Sequence, residues 1–414
     1  MFLNLRAVIY DVDDMQKAKD WYGKVLNLEP ETDETPFTGF SIGSDRLVLN
    51  LTDNSQQEKC PGAIAYWAVS DVRGEYQRLV DHGAVEQGGI RDIGGGLLLA
   101  TVKDPFGNII GIAGMGGAVD NKAIEEKPSK TALWTTHMRA FSTREANEEI
   151  RGKDHLAELF LEDEDRNALQ DIESRQQQKD KYFVVGVYEY VMARTRAFDH
   201  FFKQAIEKGV EQVVFLGAGY DSRPYRFREL LDTIDVYELD VAPTQQHKSR
   251  CLEKAEIEIP ARLTYVPINF NSESIQDALN AAGYDKEKKT LFMWEGVTYY
   301  LAPEAVGATF EFIKQNSPSG SIVAFDYIAL WPGIFDAYGV KELMNFNAKN
   351  QSGESGNKFA LEEGAVESFL SEKGFKMSSH LNSGEIENGY LSLKDGTIFG
   401  HVTGGFRIVQ ALTM

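Results

Sequence analysis

Five short runs of nearly unbroken apolar residues, VVFLGAG (213–219), VYELDV (236–241), LTYVPINF (263–270), LFMWEGV (291–297) and SIVAFDYI (321–328), alternate with stretches of helical spacing. A strand that is apolar on both sides must be covered on both faces, and strands joined through helices run parallel. The pattern predicts an α/β domain, a doubly wound parallel sheet with helices on either side. Helices are expected around FRELL, from Pro243, near Ile275, from Pro303 and around Val366 to Lys373, and FRIVQAL reads as the last strand. A helical region from Ala132 to about Gly209, with a cap-like start at Thr131, precedes the sheet, and AKNQSGESGNKF reads as a surface loop.

The first 117 residues follow a different rule. LRAVIYDVDDMQKAKDWYGKVLNLEP is a strand, an Asp13-Asp14 turn and an amphipathic helix, and AIAYWAVSDVRGEYQRLVDHGAVEQ repeats that order with Ile64 over Ala7 and Asp71 over Asp14. Short glycine-punctuated strands follow each helix, which predicts two copies of βαβββ in an α+β domain. The glycine-rich, then polar stretch GMGGAVDNKAIEEKPSK carries no apolar period. The expected organisation is therefore a domain at 1–117, a linker at 118–131 and a second domain at 132–414.

A chain of 414 residues is long enough for two cores. Its net charge of −20 argues against nucleic acid and anionic membrane as partners. No apolar stretch approaches the roughly 20 residues of a membrane helix. The two cysteines, Cys60 and Cys251, lack metal-ligand spacing and fit a reducing compartment, so a cytoplasmic location is expected.

Chemistry is concentrated at two strand ends. Val213 to Leu216 break into Gly217-Ala218-Gly219, at the edge where open α/β sheets bind ligands. The next strand ends in Glu238-Leu239-Asp240, about twenty residues on, where an acid can accept from both hydroxyls of a ribose. Asp221 to Arg223 stand where a dinucleotide fingerprint needs its third glycine, which tells against NAD. A cofactor with adenosine but no phosphate suits the loop better.

Taken together, VMARTRAFDHFF, VVFLGAGYDSRPYRF, YELDVAP and MWEGVTYYLAPEAV resemble the leucine carboxyl methyltransferase-like family of S-adenosylmethionine enzymes over about 132–414. The resemblance implies a Rossmann-like sheet with a helical cap and S-adenosyl-L-methionine as cofactor. It implies that Arg194 holds the cofactor's carboxylate, Gly217 and Gly219 form its loop, and Asp240 takes the ribose. Glu295 would lie beside the methionine moiety or reacting centre, and Tyr300 near the substrate. Asn269 stands where the family often has an acid beside adenine, and an amide can still bond there. Arg139 is the candidate for the family's N-terminal basic residue. Other readings stay open: Arg194 and Arg196 as a solvated helix face, Tyr299 and Tyr300 as core aromatics, and Asp221, Arg223 and Arg226 as a structural ion-pair network. His137, His155, His200 and His247 read as surface or cap residues. The expected reaction is O-methylation of a small-molecule carboxylate or hydroxyl, the latter needing a base.

The duplicated region, through DVDDMQKAKDWYGKVLNLEP and KDPFGNIIGIAG, resembles the vicinal oxygen chelate superfamily of glyoxalases, ring-cleaving dioxygenases and bleomycin-resistance proteins. Its metal-ligand places fall near Ala7, Asn50, Ile64 and Gly111, three of which cannot coordinate, so no metal is expected. Trp21, Tyr66 and Trp67 would line a ligand cup or else belong to the core. The alternative function is a small-molecule binding or resistance protein whose methyltransferase part holds cofactor without activity. The first domain could also pair two copies of the chain.

Overall fold

The structure is a computed structural model that describes residues 8–34, 36–42, 45–52, 64–69, 72–92, 97–115, 128–270, 273–349 and 359–414. The chain divides into two compact units, Met1–Val119 and Asp120–Met414.

The first unit contains β1 (Val8–Val12), α1 (Met15–Leu26), β2 (Thr32–Glu34), β3 (Phe37–Ile42) and β4 (Asp45–Leu51), then β5 (Tyr66–Ala68), α2 (Val72–Asp81), β6 (Val85–Asp92), β7 (Leu97–Lys103) and β8 (Ile109–Met115). The sheet orders β1-β4-β3-β2 and β5-β8-β7-β6 are the same, each with one parallel pair between its first and last strands. The sequence duplication is thus a duplication of topology. Asp14 caps α1 by accepting from Lys17 N–H, and Asn27 ends it in the left-handed region. Along β1, Tyr10 and Val12 are buried while Ile9 and Asp11 are exposed, the period of two expected of a half-covered sheet. Tyr10, Tyr22, Leu49, Tyr76, Val102 and Ile112 join both modules in one core.

That core takes two of the three aromatics considered for a cup. Trp21 donates from Nε1 to the His82 carbonyl and Trp67 packs against the shared core, whereas Tyr66 stays on the exposed sheet face. Asn50 donates to Asp11, and a side chain at Gly111 would meet the Tyr66 ring at 2.7 Å. Ala7, Cys60 and Asp71 lie outside the described residues. Among the described residues, no three His, Cys, Asp or Glu side chains gather as a metal site.

The second unit begins with the helices α3 (Lys130–Ser142), α4 (Asp163–Ala168), α5 (Ile172–Tyr182) and α6 (Val187–Glu207). Alternation follows: β9 (Gln212–Leu216), α7 (Arg223–Arg226), β10 (Asp235–Asp240), α8 (Ala242–Lys254), β11 (Leu263–Pro267), α9 (Ile275–Ala281), β12 (Thr290–Trp294), α10 (Pro303–Gln315) and β13 (Ile322–Leu330). The chain ends with α11 (Val340–Lys349), β14 (Leu361–Glu362), α12 (Val366–Glu372), β15 (Phe375–Leu381), α13 (Ser383–Tyr390) and β16 (Phe406–Thr413). The strand order is β11-β10-β9-β12-β13-β16-β15, with β14 beside β13. β9 to β13 run parallel, and β16 enters antiparallel between β13 and β15.

Alternate strand residues face two cores. Val213, Phe215, Leu291 and Met293 pack under α3 and α6, while Val214, Leu216, Phe292 and Trp294 pack under α10 and α12. Each such side chain contributes roughly 1.5–3 kcal/mol by leaving water, which is why the sheet is legible as apolar runs. The order reverses between β9 and β12, so the carboxyl ends of those strands open the crevice where doubly wound sheets bind ligands.

Two local details depart from the sequence reading. The cap of α3 is Ser129, which accepts from Ala132 N–H, rather than Thr131. The FRELL helix shrinks to the four residues of α7 and a 3-10 turn at Arg228–Leu230. Most of AKNQSGESGNKF lies outside the described residues. A further detail yields a prediction. Glu256, just past α8, takes φ +56° in the left-handed region while Ile257 N–H closes onto the Leu252 carbonyl at 2.9 Å. That conformation costs a non-glycine residue roughly 1–2 kcal/mol, against 0.5–1 kcal/mol of entropy for glycine. Glu256→Gly is expected to stabilise the unit by about 0.5–1 kcal/mol in urea denaturation; a loss of stability would mean that the side chain holds the turn.

Candidate active site

The crevice is built first from backbone. Gly217 and Gly219 have φ of +73° and +50°, and a Cβ on Gly217 would lie 2.6 Å from Val297 Cγ2. The turn therefore needs glycine for conformation and for space. Ala132 of α3 lies over Gly219, and Ser129 N–H donates to Thr244 Oγ1 at 3.1 Å, so the first helix of the unit closes over the loop.

Asp240 ends β10 beside that loop. Its Oδ2 accepts from Gly219 N–H at 2.6 Å and its Oδ1 from Val241 N–H at 2.8 Å, leaving further lone pairs on both oxygens. Burial raises its pKa against these two bonds. Asn269 follows the adjacent strand β11: Ile268 N–H donates to the Asp240 carbonyl, and Asn269 N–H donates to Glu273 at 2.7 Å. Glu273 thus brings a carboxylate to this edge, which the VPINF segment did not announce.

The second half of the crevice is ionic. Arg194, two turns into α6, is buried and not a solvated face. It donates from Nε to Glu295 Oε1 at 3.0 Å, and from Nη1 to Tyr299 Oη at 3.1 Å and Asp326 Oδ2 at 3.2 Å. Among the described residues its Nη2 makes no hydrogen bond. Glu295 Oε2 lies 2.8 Å from Arg223 Nη1, an ion pair whose geometry is not that of a hydrogen bond, so this buried oxygen keeps acceptor capacity. Tyr300 is half-buried with its ring 4.7 Å from that of Tyr299. Arg196 is turned elsewhere, to the carbonyls of Glu149 and Tyr390.

Behind Glu295 stands the network read from Asp221, Arg223 and Arg226, and it is larger than the sequence suggested. Arg223 reaches Asp199, Asp221 and Glu295, and Arg226 pairs with Asp199 and lies 3.5 Å from Asp154. Burial acts to raise Asp199 and Asp221, but the neighbouring guanidiniums hold both below the usual carboxylate range. Arg139 belongs here as well: it donates to Asp154 at 2.7 Å and to the Tyr220 carbonyl, fastening α3 to the glycine loop. Beneath the site, Lys248 donates both to Glu238 Oε1 and to Oε2, at 2.8 and 2.6 Å, with neither side chain exposed.

The histidines are mixed. His155 and His200 are exposed, His247 bonds the Tyr220 hydroxyl at 2.9 Å, and His137 is buried between Phe141 and Phe183. The last corrects the surface reading: α3 is covered on this side by Phe183.

The sequence signals are therefore brought to the carboxyl ends of the central strands: a glycine loop packed against Val297, an acid with spare lone pairs beside it, and an arginine-carboxylate pair at Gly296, the residue before Val297. Such a set suits a ligand with a sugar diol at one end and a zwitterionic amino acid at the other. Asp326 and Tyr190, which hold Arg194 and its turn, were not singled out from sequence, and Tyr299, read as a core aromatic, is buried and also accepts from Arg194.

Residues 132–314 match the family profile described as leucine carboxyl methyltransferase, and residues 6–112 match that of the glyoxalase/bleomycin resistance protein/dioxygenase superfamily. A protein of Mycobacterium avium (strain 104) named "Putative S-adenosyl-L-methionine-dependent methyltransferase" is 38% identical over 162 residues, 39% of this chain and 52% of its own. A protein of the same name from Mycobacteroides abscessus (strain ATCC 19977) is 32% identical over 218 residues, 50% of this chain and 67% of its own. The Bacillus subtilis (strain 168) protein of that name with the suffix YktD is 32% identical over 187 residues, 44% of this chain and 60% of its own. The chain thus spans about half to two thirds of the length of the relatives it matches. No helix among the described residues is long and apolar enough to cross a membrane.

Proposed function

The chain belongs to the leucine carboxyl methyltransferase family, and from that footing we propose that its second unit transfers a methyl group from S-adenosylmethionine to an oxygen of a small molecule. The observation that carries the reading is the meeting of Gly217, Gly219 and Asp240 with the Arg194–Glu295 pair at the strand-order reversal. The residues fit the cofactor. Asp240 has lone pairs left for a ribose, Arg194 Nη2 makes no hydrogen bond among the described residues, and the Glu295 oxygen without a hydrogen bond suits an ammonium group.

When bound, S-adenosylmethionine supplies a methyl group on a positive sulfur, a leaving group that needs no further activation. The protein's part is then alignment. Gly217 and Gly219 let the backbone approach, Asp240 orients the sugar, Arg194 takes the carboxylate, and Glu295 takes the amino group and adds negative charge near the sulfonium. Asn269 bonds adenine, and Tyr300 faces the acceptor. A carboxylate acceptor would attack as it stands, whereas a hydroxyl would have to lose its proton. We favour a small-molecule oxygen acceptor and the cytoplasm as its place. The first unit as the main binding module is not favoured, since Trp21 and Trp67 are spent on its core.

Calorimetric titration tests the reading. S-adenosylmethionine is expected to bind the full chain in the micromolar range, and Asp240→Ala and Glu295→Ala are each expected to weaken binding about tenfold or more, roughly 1.4 kcal/mol. Absence of binding by the wild type would overturn the proposal.

A further inference from the structure

Resting on the cofactor reading above, we propose that Asp326 is the positioning residue for the amino-acid end of the cofactor, one carboxylate that fixes both the arginine and the turn meant to receive it. In the sequence it is the single acid within SIVAFDYI, an interruption in an otherwise apolar strand. In the structure it is wholly buried on β13, one residue beyond the pairing of Phe325 with Trp294, so it looks across to the turn that leaves β12.

Two oxygens there meet three donors. Oδ1 accepts from Gly296 N–H at 2.6 Å, while Oδ2 accepts from Tyr190 O–H at 2.8 Å and Arg194 Nη1–H at 3.2 Å. Its carbonyl also accepts from the Thr298 hydroxyl. Gly296 sits at φ +75°, and a Cβ on it would lie 3.0 Å from the Arg194 guanidinium. The turn and the arginine are therefore packed face to face, and Asp326 sets their spacing by bonding both. Glu295 is the residue before Gly296, so its direction follows from the same bond.

Charge argues for a role beyond packing. Among the described residues Arg194 is the one cation paired with Asp326, and it is shared with Glu295, which Arg223 also reaches; a buried acid held by one shared cation is expensive unless the arrangement is used. With Nε and Nη1 committed, the guanidinium can turn only Nη2 to a ligand. Asp326 thereby fixes which edge of Arg194 a cofactor carboxylate meets. Among the described residues none of its hydrogen-bond partners belongs to the Gly219–Asp240 half of the crevice, so its direct influence falls on the amino-acid end.

The test is to titrate S-adenosylmethionine and 5′-methylthioadenosine, the adenosyl fragment without the amino acid, into the full-length wild type, Asp326→Asn and Tyr190→Phe. Asparagine keeps the shape but has one acceptor, so its amide N–H2 must face either Gly296 N–H or the Arg194 and Tyr190 donors. Asp326→Asn is expected to weaken S-adenosylmethionine tenfold or more and the fragment less than twofold, at a temperature where circular dichroism shows the variant folded. Tyr190→Phe, which removes one donor and keeps the other two, is expected to weaken S-adenosylmethionine about threefold with the fragment unchanged, and it decides the matter should Asp326→Asn not fold. Equal weakening of both ligands, or of neither, overturns the inference while leaving the cofactor reading intact. A wild type that binds neither ligand overturns both.

Discussion

Arg223→Met is expected to cost the second unit about 3–5 kcal/mol, the range for removing one partner of a buried ion pair. The side chain is 3% exposed and reaches Asp199, Asp221 and Glu295. Methionine fills much of the volume, so the loss measures charge more than cavity. Arg226 remains for Asp199, but Asp221 and Glu295 lose their shared cation. Arg223→Lys is expected to rescue little, because a point charge cannot hold three carboxylates in the directions a guanidinium fork does. The measurement is urea denaturation, following the transition that S-adenosylmethionine shifts, so that the first unit does not enter the result. Lys341→Ala gives the contrast. Its pair with Asp336 is solvent-exposed on both sides, and its loss is expected to stay within the small range of surface ion pairs. A loss under about 1 kcal/mol for Arg223→Met would mean that water reaches the network.

That network shows what a sequence states and what it withholds. The sheet was legible because its strands are covered on both faces, so burial is written as unbroken apolar runs. The first unit was legible because its helix-and-strand order is written twice. Gly217, Gly219 and Asp240 were legible because a turn and the acid of the next strand are linked by fixed spacing. Asp326 was not, since its partners Arg194 and Tyr190 lie 132 and 136 residues away and only the packing of α6 against the sheet brings them together. The α3 cap was missed for a smaller reason. Ser129 and Thr131 have equal capping chemistry, and the choice falls to Ser129, whose N–H also bonds Thr244 on α8. Arg139, the candidate for the family's N-terminal basic residue, pairs with Asp154, whose buried position is set by the tertiary packing and not by any local pattern.

Lys248→Met should be as damaging as the loss of Arg223, and the cure is the informative part. Glu238 and Lys248 are fully buried, and the methionine would leave Glu238 with no cation inside the sheet, at a cost of about 3–5 kcal/mol above neutral pH. Replacing both, with Glu238→Gln and Lys248→Met, removes the stranded charge and is expected to restore most of that loss. The pH dependence follows the same logic. Burial, together with Asp221 and Asp240 and against the pull of Lys248, raises Glu238 from 4.5 to about 7. A folded pKa above the unfolded one means that the folded state binds the proton more tightly, so the contribution is greatest in acid and falls as pH rises between about 4.5 and about 7. The span corresponds to roughly 3 kcal/mol at 1.36 kcal/mol per unit. Wild type should therefore lose stability across that window relative to the double variant, whose slope there should be flatter. A double variant as unstable as Lys248→Met, or a wild type with the opposite slope relative to it, would show that the pair is held for packing and not governed by its charge.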